Sequence, residues 1–416
     1  MPRRVTADLT VLRESRDLRL VVIGEAISGL GTQAALVAIP FQVFVLTHSA
    51  ALVGLLGAVE LGPLITASLL GGAAADRVDR RRVLLLAQTV IAAVAAALAV
   101  VTALGTPSVV FIFILAGALA GASAIDNVTR AAVVPSLAGP ARLRPALAIT
   151  FGLNSVTAVV GPGIGGLLIA AWGVGAAYWI DTAGFLATLL ITAMLRPMPA
   201  APVEGEPVPV LRSIADGLRY VRRNRALVGS FAIDLAAMTF GMPRALFAVL
   251  SLTVYHAGAA GTGLLYAAVS AGATVAAVTT GWLEHANRLG RIVIGAVCIW
   301  GLAIAGAGIV PSLWLAAGLL AVAGAADSVS AVCRSTINQT VTPEPMRGRM
   351  SSVFMLVVTS GPRLGDVESG VVASLSSAGF AVASGGLACL VAVAVIVVAF
   401  PALAAYDGRQ SAPIPP

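Results

Sequence analysis

Eight carboxylates, Glu25, Glu60, Asp126, Asp181, Asp234, Asp327, Asp366 and Glu368, stand inside stretches that are otherwise apolar. Only Arg244 and Arg363 are as clearly interior among the basic residues, with Arg130 and Arg334 near the ends of such stretches. Ionisable groups in hydrocarbon are costly and mark partners, cavities or transported species. With fewer cations than acids, some carboxylates are left without a charge partner, and such groups suit reversible proton binding. The alternative is structural, each acid capping a neighbouring helix or pairing with an arginine. Gln33, Gln42, Asn154, Asn338 and Gln339 could hydrogen-bond a small molecule, with Phe41, Phe44 and Phe240 as candidate aromatic neighbours.

Charge is densest in GPRLGDVESG, residues 361–370, inside the apolar stretch 351–375. At about 100° per residue, Gly361, Gly365 and Glu368 share one helical face and Arg363, Asp366 and Gly370 the other. Arg363 and Asp366, three positions apart, can pair directly. The expectation is that Arg363 bridges Asp366 and Glu60, leaving Glu368 as a proton site. A static buried network is the alternative.

The elements that must position these groups follow from composition. The chain of 416 residues is 58% hydrophobic and 11% charged, with a mean hydropathy of +0.96. Soluble domains carry about 25% charged residues, so a water-exposed surface is excluded. Twelve apolar runs, each long enough to cross a bilayer as a helix, occupy roughly 19–46, 51–72, 83–104, 108–129, 146–171, 174–195, 226–250, 261–283, 291–310, 312–333, 351–375 and 379–400. They are too long and aliphatic for barrel strands. The first is too long for a cleaved signal peptide and shows no small-residue cleavage site. An all-α integral membrane protein is expected.

All 26 basic residues are arginines. Apart from Arg244 and Arg363 they fall at the termini or in the even-numbered connections, which by the positive-inside rule places both termini in the cytoplasm. The net charge of +7 is thus a topology signal, and nucleic-acid binding is not expected. Cys298, Cys333 and Cys389 lack metal or disulfide spacing, and His48, His256 and His285 form no cluster. No cofactor, metal or nucleophile–base arrangement is indicated, and no phosphate-binding loop. The chain does not read as an enzyme.

Residues 196–225 are rich in proline and then basic. They read as a cytoplasmic linker with a surface helix near 210–224, whose Leu211, Ile214, Leu218 and Val221 would lie on the membrane or the bundle. This divides the chain into 1–195, 196–225 and 226–416, with six spans on either side. The halves resemble each other. Gly54 and Gly263, Gly72 and Gly281, and Glu25 and Asp234 are each 209 positions apart, and Asp126 and Asp327 are 201 apart. GPGIGG at 161–166 corresponds to GPRLGD at 361–366. Internal repeats mark secondary transporters, with sites near the midplane.

After the second span, GGAAADRVDRRR supplies Gly72, Asp76, Arg77, Arg80 and Arg81 in the spacing G-x-x-x-D-R-x-G-R-R. The chain thereby resembles the major facilitator superfamily, with Asp79 where that family usually has glycine. GPGIGG, with Gly161, Pro162, Gly165 and Gly166, partly matches the glycine motif of its proton-coupled exporters, and glycine-permitted helix packing is the other reading. RGR at 347–349, THSA at 47–50 and GTGLLYAA at 261–268 resemble the branch of enterobactin exporters and related drug:proton antiporters. The resemblance implies two pseudo-symmetric six-helix bundles that alternate access, with spans 1, 4, 7 and 10 around a cavity. It implies that Asp76 meets Arg347 or Arg349, that Arg80 pairs with Asp126, and that Asp181, on a peripheral span, is structural.

The expected function is proton-driven efflux of a small amphipathic molecule, such as a siderophore, antibiotic or lipophilic toxicant, by a monomer in the inner membrane. Glu25 and Asp234 are the first candidates for proton handling, and an apolar cavity with sparse acids suits uncharged or cationic cargo. A proton-coupled importer is the main alternative. A non-transporting receptor or membrane enzyme is a third.

Overall fold

The computed structural model describes residues 10–105, 107–199 and 210–407. Its helices are α1 Arg16–Thr47, α2 Ala50–Arg77, α3 Arg80–Ala103, α4 Val109–Gly139, α5 Arg142–Trp172, α6 Val174–Ala193, α7 Val210–Arg223, α8 Arg225–Phe240, α9 Leu246–Thr253, α10 Gly258–Thr279, α11 Leu289–Ile309, α12 Leu313–Val341, α13 Arg347–Leu375 and α14 Ala378–Ala399. No strand occurs among the described residues. Ten of these helices are long and apolar enough to span a bilayer. The remaining two of the twelve expected spans differ for local reasons. α13 spans 29 residues, about 43 Å at 1.5 Å per residue, but carries Arg363, Asp366 and Glu368 in its apolar face. The seventh span is broken into α8 and α9, where Gly241 ends the first piece and Pro243 brings no N–H to continue it.

Other boundaries shift outward. α4 continues ten residues past the expected end at 129, so Arg130 sits within a helix and not at its edge. The turn into α5 comes at Gly139, whose φ of +68° is a left-handed value that a side chain would strain.

Two compact units result. The first comprises Met1–Leu46 and Val59–Gly205, and the second Thr47–Ala58 and Glu206–Pro416, so the first part of α2 groups with the second unit.

In the second unit, small residues let helices meet backbone to backbone. A β-carbon at Gly272 of α10 would collide with the Ala321 carbonyl oxygen of α12, and one at Gly324 of α12 with the Val269 carbonyl of α10. Gly324→Val is therefore expected to cost about 1–3 kcal/mol through overpacking. Thermal unfolding in detergent checks this, with Gly163→Ala, whose added carbon meets nothing within 4 Å inside a helix, as a control that should lose no stability.

α7 is fastened to this unit by polar contacts. Asp216 accepts from Arg219 at 2.9 Å and pairs with Arg349 at 3.4 Å, and the Tyr220 hydroxyl donates to the Val341 carbonyl. Val221 is buried but Leu218 is exposed, so its apolar stripe is only partly covered by the unit, and the Leu211 side chain lies outside those described. Asn224 then caps α8 by accepting from Ala226 and Leu227.

Candidate functional site

In the first unit, Glu25 of α1 faces α4 and α5. Its Oε1 accepts from Asn154 Nδ2 at 3.1 Å, and its Oε2 is buried with no partner among the described residues. Asp126 of α4 is fully engaged: Arg130, one turn on, donates from Nε at 2.6 Å, and Gln88 of α3 donates at 3.0 Å. Arg130 is close enough for its charge to act on Glu25, yet its Nη2 is buried and unpartnered. A single guanidinium thus serves Asp126 directly and Glu25 only through space.

The second unit solves the same problem differently. Asp234 of α8, the repeat counterpart of Glu25, is ion-paired to Arg334 Nη2 of α12 at 2.9 Å, with both side chains at most 5% exposed. Arg334 also lies 3.6 Å from Asp327 and donates to Ser330 at 3.1 Å. The asymmetry follows from sequence register. The 201-residue offset that relates Asp126 to Asp327 places Ala331 opposite Arg130. The arginine of the second unit comes one turn later, at a height where it reaches α8. The two repeat-related acids thus differ in partner, a guanidinium for Asp234 and an amide for Glu25, while each keeps one buried oxygen, Oδ2 and Oε2, with no hydrogen-bond partner among the described residues.

The charged run in α13 has a structural task. Asp366, 6% exposed, accepts the Ala245 N–H at 3.0 Å through Oδ1, capping the start of α9, while Arg363 lies 3.8 Å from its Oδ2. The two predicted faces of the helix are realised. Gly361 and Gly365 pack against Met238 and Thr239 of α8, and Gly370 meets Gly54 of the segment that begins α2. Glu368 is half-buried.

The expected pairing of Arg80 with Asp126 is not formed. Arg80 donates instead to the Ala75 and Ala132 carbonyls, and Arg81 to the Thr192 and Ala193 carbonyls at the end of α6. Ala75, Thr192 and Ala193 belong to the last turns of α2 and α6, where carbonyls lack a full set of intrahelical partners, whereas Ala132 lies within α4. Gly72, Asp76 and Arg77 lie in the last turns of α2, so Asp76 is not at a helix N-terminus. Asp79, the departure from the family pattern, is the N-cap of α3 and accepts from Arg81 N at 2.8 Å. The Arg347 side chain lies outside those described, and Arg349 is bound to Asp216.

Of the exporter-type motif, Gly161 lets α5 approach Gln33 and Gly165 lets it approach Ala34 of α1, while Pro162 and Gly166 are buried in an uninterrupted helix. Among the cavity candidates, Gln42 is occupied at both ends, donating to Thr102 at 2.9 Å and accepting from Tyr178 at 2.7 Å, and so is corrected to a core residue. Asn154 is bound to Glu25, Asn338 is buried with an unpartnered Oδ1, and Gln33 and Phe240 are half-buried. Sequence does not mark Gln88, an isolated polar residue in an apolar run, or Asp216, one charge among several on a surface helix.

Comparison with known proteins agrees with this architecture. The model of a family described as transmembrane secretion effector matches residues 8–416. The chain belongs to that family. An enterobactin exporter of Shigella boydii is 33% identical over 382 residues, covering 90% of this chain and 91% of the relative. An enterobactin exporter of Citrobacter koseri is 32% identical over 389 residues, covering 91% and 92%. Among solved structures, the nucleoside transporter NupG superposes with a TM-score of 0.73 at 15% identity, covering 93% of this chain and 98% of that one. A bacterial homolog of the human lysosomal transporter Spinster gives 0.70 at 15% identity, covering 96% and 98%. At those identities the structural likeness establishes the fold, that of major facilitator transporters. This secretion effector family member is a multi-pass membrane transporter and not an enzyme.

Proposed function

We propose that the chain exports a small amphipathic molecule from the cytoplasm in exchange for protons, by alternating access between bundles 1–195 and 226–416 joined by the linker 196–225. It would act as a monomer in the inner membrane with both termini in the cytoplasm. The observation that carries the coupling is the carboxylate of Glu25, held on one oxygen by Asn154 and open on the other. A buried acid with its own arginine has no reason to change charge during a cycle. One without such a partner can gain and lose a proton as its surroundings change. Arg130, with its buried and unpartnered Nη2, is placed to respond to the charge on Glu25. The names of the relatives favour a siderophore as cargo. The cytoplasmic motif of Gly72, Asp76, Arg77, Arg80 and Arg81, together with Arg347 and Arg349, is assigned the role of a gate.

The test uses purified protein in liposomes containing a pH-sensitive dye, under an imposed proton gradient. Addition of siderophores, antibiotics and lipophilic dyes in turn is expected to trigger proton movement with at least one of them. Cargo and protons moving in opposite directions support the exporter. Movement in the same direction supports the importer, and cargo movement without protons removes the coupling assignment.

A further inference from the structure

In the broken seventh span, Arg244 has no ion-pair partner among the described residues. Arg244 lies in the turn between α8 and α9, with only the eight residues of α9, about 12 Å, between it and the end of the span. Its backbone is fixed: the Tyr266 hydroxyl donates to its carbonyl at 3.0 Å, and Phe247 and Tyr266 stack edge to face with centroids 5.0 Å apart. Its guanidinium is another matter. Arg244 as a residue is exposed, and its guanidinium makes no hydrogen bond or ion pair among the described residues.

The acids nearest to it have other partners as well. Asp366, close enough to act on Arg244 electrostatically, spends Oδ1 on the Ala245 N–H and Oδ2 on Arg363. Asp327, also within electrostatic range, lies beside Arg334. Arg363 is near as well and adds positive potential. The helix start itself offers no competing site, because the Ala245 N–H is taken.

A guanidinium at this depth is sustained by water or by an anion, and lone charges inside a membrane protein mark pathways. Interrupted helices near the midplane are where transporters place their sites. We propose that Arg244 binds an anionic oxygen group of the cargo, a carboxylate or similar planar acid that can accept two parallel hydrogen bonds. The cargo class is then an amphipathic acid, in place of the uncharged or cationic molecule expected from sequence. This inference rests on the transport reading above.

The probes are 1-pyrenebutyrate, its neutral amide and the cationic 1-pyrenebutylamine, which share one apolar body. Binding is read by fluorescence in lipid nanodiscs, with protein-free discs subtracted. The carboxylate is expected to bind at least about tenfold more tightly than the amide, the gain from one charge-assisted hydrogen bond. Arg244→Gln should equalise the two, Arg244→Lys should keep only the part that charge alone supplies, and Arg291→Gln at the start of α11 should leave it unchanged. The wild-type preference among head groups can be read even where a variant fails to fold. No preference in the wild type, or a full preference in folded Arg244→Gln, overturns the proposal. Carboxylate binding through Arg244 without transport of any compound would sink the exporter reading and leave this one standing. Transport without carboxylate preference would do the reverse.

Discussion

Replacing Glu25 by glutamine is expected to reduce proton-linked cargo movement to the level of empty liposomes while leaving the protein folded. Glutamine keeps the size of the side chain, and its amide oxygen can still accept from Asn154 Nδ2, the bond now 3.1 Å long. What it removes is the oxygen that has no partner among the described residues. The two effects separate cleanly. Exchange of labelled for unlabelled cargo across the membrane needs no net proton transfer and should survive in Glu25→Gln. Proton release on adding cargo should not. If the variant still couples proton and cargo movement at the wild-type rate, Glu25 is not the proton carrier, and half-buried Glu368 of α13 becomes the next residue to replace.

Removing Arg334 should have the largest effect on stability. Arg334→Ala would leave Asp234, 2% exposed, without its 2.9 Å partner, and would also release Asp327. Breaking one side of a buried ion pair costs about 3–5 kcal/mol, because the remaining charge has lost its compensation. Replacing both members by uncharged residues of similar size avoids that penalty. Arg334→Ala should therefore unfold at a much lower temperature in detergent, and Asp234→Asn combined with Arg334→Gln should recover most of the loss. A single variant as stable as the parent would mean that the pair is not needed to hold α8 against α12. The same experiment contrasts the repeats, since Glu25→Gln disturbs no ion pair.

Much of this molecule is written in its composition. Bilayer-length apolar runs can bury their backbone groups only as helices, so the ten helices long and apolar enough to span follow from hydropathy. Arginine placement and the six-plus-six repeat follow from the same reading. Helix ends did not. α4 runs on through Arg130, because a helix continues past the apolar stretch wherever its side chains find partners, here Asp126 beside it. The break between α8 and α9 is signalled by Gly241 and Pro243, but what makes it tolerable is Asp366, more than 120 residues away, taking the Ala245 N–H.

The candidate site was half legible. Sequence marks which groups are ionisable and interior, and the offset of 209 between Glu25 and Asp234 makes them look alike. Charge state depends on neighbours in space. A shift of about one turn in the position of an arginine gives Asp234 a guanidinium and leaves Glu25 with an amide. Likewise, Arg244 and Arg363 were indistinguishable as interior cations. Helical spacing puts Asp366 beside the latter, whereas only tertiary packing decides that the former has no ion-pair partner among the described residues and that Asp366 also takes the Ala245 N–H.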